Sequence, residues 1–309
     1  MKIAVSSPLF SRTPILVEEL QKSFLHVKLN ATYALREKSA LIDFLKDADG
    51  IIVGNEIIDE EVLSHCPNLK IVSRYGVGLD NIDTQALEAR GIKLGWSGGT
   101  NKNSVAEITL GFMLSLTRNL YPSIVTLKNG EWKTDGGSEL TGKTIGLFGF
   151  GHIAKRVIEL LKPFECTILV SSKREDDEEA KRFGIAFASF EQIVEEADII
   201  SLHIPLTNQT RNLFSTEAFK AMKPSAFIIN TARGGIIDEE ALKNALQNQE
   251  IAGAALDVFT EEPMKDQSLL ELPNLLCTPH FGGNSKESVL AMGRSSISHL
   301  HHFFYANGG

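Results

Sequence analysis

The sequence is poor in cysteine, in positive charge and in long apolar runs, and each shortage excludes something. Only Cys66, Cys166 and Cys277 occur in 309 residues, far apart and in unrelated contexts. That spacing supplies neither a disulfide framework nor a zinc pattern, and it reads as buried, reduced thiols in a cytoplasmic protein. Lys and Arg total 31 against 39 Asp and Glu, a formal net charge of −8 that leaves no basic face for nucleic acid. No apolar stretch approaches membrane-spanning length, and the start, MKIAVSSPLF, lacks the apolar core and cleavage site of a leader. Neither a nucleic-acid partner nor a membrane is therefore expected. Repeats of solenoid period and low-complexity tracts are missing too. His299, His301 and His302 stand near the end without partner ligands, so they read as an exposed helix end and no metal is expected.

What is present is an ordinary soluble balance, 43% hydrophobic and 23% charged, in a chain long enough for two domains. Short apolar strands alternate with helical patterns from the start: KIAVSS, a helix over 14–23, VKLN, a helix over 40–46, GIIVG, a helix over 60–65, KIVSRYG, a helix over 84–89, and KLGW. This alternation predicts a parallel sheet with helices on its faces, a complete α/β unit. GGTNKN, between Ser97 and Asn103, is a turn-rich break that closes it. The next helix, Ser104 to about Leu120, is apolar on nearly every side. Burial all round is predicted, as the crossing between domains and part of a dimer interface. A second alternation follows, with strands expected at TIGLF, CTILVS, AFAS, DIISLHI, AFIINTA, IAGAALDVF and LLCTPH. A long last helix, Ser285 to about Phe304, is expected to return to the first domain. The acidic run Glu175 to Glu179 reads as a solvated helix start, where carboxylates are favoured.

The second alternation opens on KTIGLFGFGHIA, in which a strand runs into Gly149-x-Gly151-x-x-Ala154 and then into an amphipathic helix carrying Ile153, Val157, Leu160 and Leu161. Gly149 allows the tight turn, Gly151 lets a pyrophosphate approach the backbone, and the small Ala154 lets the helix lie close on the strand. Phosphate charge would meet the unpaired N–H groups of the helix beginning near His152 and Ile153. The unit therefore reads as a doubly wound dinucleotide fold with extra edge strands. Folds of this kind that use NAD place an acid about 20 residues past the glycines to bind the ribose diol. Here the second strand ends Val170-Ser171-Ser172-Lys173-Arg174, a serine with two cations behind it. NAD(P) is the expected cofactor, leaning to NADP, whose 2′-phosphate the cations would bind. The competing reading takes Lys173 and Arg174 as solvated charges that offset the acidic run.

Three motifs follow at the carboxyl ends of successive strands, where open parallel sheets bind ligands: NTARGG (230–235), DVFTEEP (257–263) and TPHFGG (278–283). Together they offer an arginine that can clamp a carboxylate and a histidine that a carboxylate can hold for proton exchange. Taken singly, Arg233 could be a surface ion pair, Glu262 a loop acid and His280 a satisfied histidine after a proline. Their shared location downstream of a dinucleotide turn favours chemistry.

With SRYGVGLDNID (73–83), SVAEITLGFML (104–114), GLFGFGHIA, LHIPLTNQTRNL (202–213), NTARGGIID, AALDVFTEEP and TPHFGG in this order, the chain resembles the D-isomer-specific 2-hydroxyacid dehydrogenase family over essentially its whole length. The resemblance implies an α/β protein of two domains. A Rossmann NAD(P)-binding domain, 98–283, would be inserted into a flavodoxin-like split substrate domain, 1–97 plus 284–309. It implies that His280 is the general acid/base, that Glu262 holds it, and that Arg233 binds the substrate carboxylate and polarises its carbonyl. It assigns the same carboxylate to the backbone at Val77 and Gly78, the nicotinamide carboxamide to Asp257, and a cofactor contact to Pro205. Asn101 matches a phosphate-contacting asparagine of phosphoglycerate dehydrogenases and Arg74, a candidate substrate contact, a basic position in some of them, whereas Gly54-Asn55-Glu56 lacks an arginine those enzymes often carry. The expected reaction is reversible hydride transfer between the nicotinamide and a 2-keto/2-hydroxy acid, in a homodimer. The first substrate pair is 3-phosphoglycerate/3-phosphohydroxypyruvate, with hydroxypyruvate or glyoxylate as the alternative. A reading from another class, a dinucleotide-sensing corepressor-like binding protein, is disfavoured by the short ends. The stop at Gly309 leads one to expect no serine-binding regulatory domain.

Overall fold

The computed structural model describes residues 1–306, the side chain of Arg36 aside, and contains two compact units. Met1–Asn101 and the segment from Asn284 onward form the first, and Lys102–Gly283 forms the second. The last three residues of the expected 284–309 segment lie outside the described residues.

In the first unit, β1 (Lys2–Val5), β2 (His26–Leu29), β3 (Gly50–Val53), β4 (Ile71–Arg74) and β5 (Lys93–Gly95) form a parallel sheet in the order β2-β1-β3-β4-β5. This 2-1-3-4-5 order is the flavodoxin-like arrangement. Strands β3 and β4 are buried at every position because helices cover both faces. Leu41, Leu45, Val62 and Leu87 pack one face, and Phe10, Leu16, Leu20 and Leu300 the other. The Lys286–His301 helix joins the latter cluster through Val289, Met292, Ile297 and Leu300. His299 departs from the exposed helix end expected of it. It is half-buried, its Nε2 lies 2.9 Å from Ser97 Oγ, and a Cβ on Gly95 would come within 2.6 Å of it. His301 and His302 are exposed.

In the second unit, β6 (Thr144–Phe148), β7 (Thr167–Ser171), β8 (Ala186–Phe187), β9 (Ile199–Leu202), β10 (Phe227–Asn230), β11 (Gly253–Leu256) and β12 (Leu275–Cys277) form a second parallel sheet. Its order, β12-β11-β10-β9-β6-β7-β8, is the doubly wound 3-2-1-4-5-6 pattern with one further edge strand. Chain order reverses between β9 and β6, which puts the ligand crevice at the carboxyl ends of those two strands. As the acidic run suggested, the Asp177–Phe183 helix begins there, with Asp176 accepting hydrogen bonds from the N–H groups of Glu178 and Glu179.

Within one chain the Lys102–Thr117 helix is buried on one side only. Val105, Ala106, Thr109, Phe112, Met113 and Leu116 face the second unit's own sheet, where Thr109 Oγ1 lies 3.1 Å from Thr231 Oγ1, while Glu107 and Gly111 are exposed. The apolar face that finds no cover belongs to the next helix, Leu120–Lys128, which has no buried residue. Leu120, Tyr121, Ile124, Val125 and Leu127 are exposed on it, and Trp132 beyond it is 83% exposed. The three cysteines are unpaired, but only Cys66 is fully buried.

Candidate active site

At the end of β6 the chain turns through Gly149, whose φ of +100° favours glycine. A Cβ there would sit 2.5 Å from the His203 carbonyl oxygen at the end of β9. The Gly149 N–H donates to Ser171 O at 2.8 Å, tying the turn to the end of β7. Gly151 caps the His152–Leu161 helix, and a Cβ on it would meet nothing within 4 Å. The N–H groups of Gly151, His152 and Ile153 find no acceptor among the described residues, and Ala154 is fully buried against the sheet. Open space before a row of unpaired N–H groups at a helix start fits a pyrophosphate.

Next to this turn lies a cleft of about 410 Å³ lined by Phe150, Lys155, Ser172, Arg174, Asp176 and Glu179. Ser172 Oγ accepts from the Arg174 N–H at 3.3 Å, and the Arg174 guanidinium pairs with no carboxylate among the described residues. Lys155 donates to both Glu179 oxygens, at 2.5 and 2.7 Å, above the Phe150 ring. Lys173 does not join Arg174 in lining the cleft. Its Nζ donates to Gln209 Oε1 at 3.0 Å. His203, which the motifs passed over, lies across the crevice with Nε2 3.0 Å from Ser201 Oγ and Nδ1 buried without a partner. Burial pushes its pKa down to about 4, so this ring is neutral at ordinary pH. Pro205 follows in an exposed turn whose carbonyl accepts from Thr210 Oγ1 at 2.7 Å.

The loops after β10, β11 and β12 are pressed together by two contacts. A Cβ on Gly234 would lie 1.9 Å from Phe259 O, so the arginine loop can approach the DVFTEEP loop only because that position is glycine. The second contact is the Asp257 carboxylate, 1% exposed, which accepts from Thr278 Oγ1 at 2.6 Å, Phe281 N–H at 3.0 Å and Gly282 N–H at 2.9 Å. Turned inward and occupied on both oxygens, it fixes the loop that carries His280. His280 itself adopts φ +51°, and its Nδ1 lies 2.8 Å from Glu262 Oε2. Glu262 Oε1 accepts from the Phe259 N–H at 3.1 Å. Arg233 Nη1 donates to Ala232 O at 2.6 Å, while Asn230 Nδ2 donates to the Arg233 carbonyl at 2.8 Å. The structure thus brings Arg233, Glu262 and His280 to one edge of the second sheet. An Nδ1–H donated to Glu262 leaves the histidine Nε2 for a reacting oxygen.

In the first unit, the YGVG loop follows β4. Its carbonyls are held: Trp96 Nε1 donates to Val77 O at 2.9 Å and Arg74 Nε to Gly78 O at 2.6 Å. The Val77 and Gly78 N–H groups donate to nothing among the described residues. Two adjacent free N–H groups form a small nest for a carboxylate. Arg74 is 8% exposed and also donates to Val53 O, Gly54 O and Tyr75 O. Those bonds, made through Nε and Nη1, shape the loop around the guanidinium. Asn101 is 9% exposed, with Oδ1 unpartnered among the described residues.

Burial alone would push the Glu262 carboxyl up, but the His280 hydrogen bond and charge, the Phe259 N–H and the Arg233 charge outweigh it and leave it below its ordinary 4.5. A carboxyl depressed in the folded state contributes stability above its unfolded value and loses it as pH falls through the folded value. The melting-temperature gap between wild type and Glu262→Gln should therefore be widest above about pH 5 and close as the pH falls below about 4.5. A gap of constant size down to about pH 3 would exclude the pair as a source of stability.

The chain is similar to known proteins over most of its length. Residues 110–282 match the family model described as D-isomer specific 2-hydroxyacid dehydrogenase, NAD binding domain. The chain is 38% identical over 297 residues to a D-3-phosphoglycerate dehydrogenase of Methanocaldococcus jannaschii, covering 95% of this chain but 55% of that protein. It therefore spans about half the length of that relative. Against a hydroxypyruvate reductase of Thermotoga maritima the identity is 36% over 274 residues, covering 86% of this chain and 88% of the relative. Among solved structures, the D-lactate dehydrogenase of Aquifex aeolicus complexed with NAD and lactic acid superposes with a TM-score of 0.89 at 28% identity, covering 99% and 96% of the two chains. The chain belongs to the D-isomer-specific 2-hydroxyacid dehydrogenase family.

Proposed function

We propose that this chain is an NAD(P)-dependent reductase of a small, unphosphorylated 2-keto acid such as hydroxypyruvate or glyoxylate, working reversibly on the matching D-2-hydroxy acid. The observation that carries the reading is the His280–Glu262 pair, with the Arg233 charge bearing on the same carboxylate. A bound nicotinamide supplies the hydride. His280 delivers a proton from Nε2 to the carbonyl oxygen, Glu262 holds the ring in the required tautomer, and Arg233 draws electron density onto that oxygen. Within the first unit, the Val77 and Gly78 N–H groups form a nest suited to a carboxylate. Phosphohydroxypyruvate, the first choice on motifs alone, loses ground because Arg74 is committed to loop carbonyls and no arginine occupies Gly54-Asn55-Glu56. His280→Ala should lower kcat by on the order of a hundredfold or more with cofactor affinity nearly intact. Near-normal turnover would remove His280 from the mechanism.

Within the cofactor site the proposed preference is NADP. Ser172 stands where an acid would attract the ribose diol and repel a 2′-phosphate, and Arg174 lines the cleft beside it. Lys173, drawn to Gln209, plays the lesser part. The double variant Ser172→Asp, Arg174→Ala should reverse the kcat/KM ratio for NADPH over NADH at one ionic strength. A wild type that prefers NADH, or no shift in the variant, would show that this loop does not read the 2′ position.

The uncovered face of the Leu120–Lys128 helix and Trp132 supports a homodimer, since apolar patches of this kind mark interaction sites. In solution the protein should have the mass of two chains, and Ile124→Asp with Trp132→Asp should reduce it to one. A single-chain mass for the wild type would refute the dimer.

A further inference from the structure

We infer that Glu56 selects the substrate at its distal end, accepting a hydrogen bond from a hydroxyl on C3 and rejecting an anion there. This rests on reading the Val77–Gly78 N–H groups as the carboxylate nest. Glu56 follows β3 and is half-buried, with Oε2 accepting from Ser6 Oγ at 2.7 Å and from the Gly54 N–H at 2.9 Å. Oε1 has no partner among the described residues. Asn81 pins the acid's backbone, its Nδ2 donating to Gly54 O at 3.0 Å and Glu56 O at 2.6 Å. The side chain is therefore held at the carboxyl end of the first sheet, with one acceptor oxygen unused.

One side chain links the two loops. Arg74 donates through Nη1 to Gly54 O and through Nε to Gly78 O, so one guanidinium bridges the loop that carries Glu56 and the loop that carries the nest. Arg74 is buried against carbonyls and remains a cation, so the Glu56 carboxylate is the group whose neutralisation would turn this end toward an anion. In this inference a three-carbon keto acid held by its carboxylate at the nest extends its C3 group toward Oε1. A hydroxyl there can donate to Oε1. A phosphate there has only acceptors at neutral pH and meets a like charge, which is worth on the order of tenfold or more in discrimination at such range.

The test measures kcat/KM for hydroxypyruvate and 3-phosphohydroxypyruvate, which differ only in the distal phosphate, in wild type, Glu56→Gln and Glu56→Asp. Glutamine preserves shape and an acceptor for Ser6 Oγ and Gly54 N, whereas aspartate preserves charge. Wild type should favour hydroxypyruvate. Glu56→Gln should shift the ratio toward the phosphorylated acid by about tenfold or more, and Glu56→Asp should shift it far less. Added salt should relax the discrimination in wild type and Glu56→Asp more than in Glu56→Gln, because only the charged side chains repel through a screened field. A ratio unchanged in Glu56→Gln, or the same shift in Asp as in Gln, overturns the role of Glu56 while leaving the reductase reading intact. A wild type that prefers the phosphorylated acid overturns both this role and the unphosphorylated substrate. Absence of turnover with either acid and either cofactor sinks the reductase reading, and the inference with it.

Discussion

The Asp257 carboxylate is the contact on which the catalytic edge of the second unit depends. Buried to 1% exposure, it is kept inside the protein by three donors of the Thr278–Gly282 stretch, so burial of the charge and placement of the His280 loop are one arrangement. A buried carboxylate without such partners would cost several kcal/mol, which is why the loop cannot lift away without a large penalty. His280 then reaches Glu262, and Glu262 is fixed in turn by the Phe259 N–H two residues beyond Asp257. In the proposed reaction, a proton-transfer group held through buried neighbours would be preorganised, and orientation is a large share of what a protein adds to a hydride reaction.

Close approach of backbones does similar work at the cofactor end. Gly149 lets the β6 turn lie against the end of β9, and Gly234 lets the arginine loop lie against Phe259. Both positions exclude even a methyl group, and both lie where the parallel sheet opens to ligands. Around the dinucleotide turn, free N–H groups and an open Gly151 face provide for phosphate, while Arg174 and the Lys155–Glu179 pair set the charge of the neighbouring cleft. The first unit uses the same device on a smaller scale, with carbonyls tied down so that the Val77 and Gly78 N–H groups stay free.

Much of this was legible in the residues themselves. Apolar runs broken by glycine, proline and acidic caps located the five strands of the first sheet and the seven of the second, because strand and helix periods differ and turn chemistry is local. The Gly149-x-Gly151 turn, the NTARGG, DVFTEEP and TPHFGG loops and the missing acid at Ser172 are equally local features, and they sufficed to name the family and a set of candidate site residues. Other matters rest on which groups meet across long separations, and a linear pattern does not encode that. That four carbonyls surround Arg74, and that the loop after β12 hangs on Asp257, cannot be read from the motifs that carry these residues. Glu56 had no evident task until Ser6, some fifty residues earlier, supplied a tether. The Lys102–Thr117 helix read as apolar all round, but the sheet of its own unit chose which face to bury, and the uncovered surface fell to the helix after it. Local composition determined the elements and the chemistry on offer; packing and hydrogen bonding between distant segments decided which of those groups remain free to act.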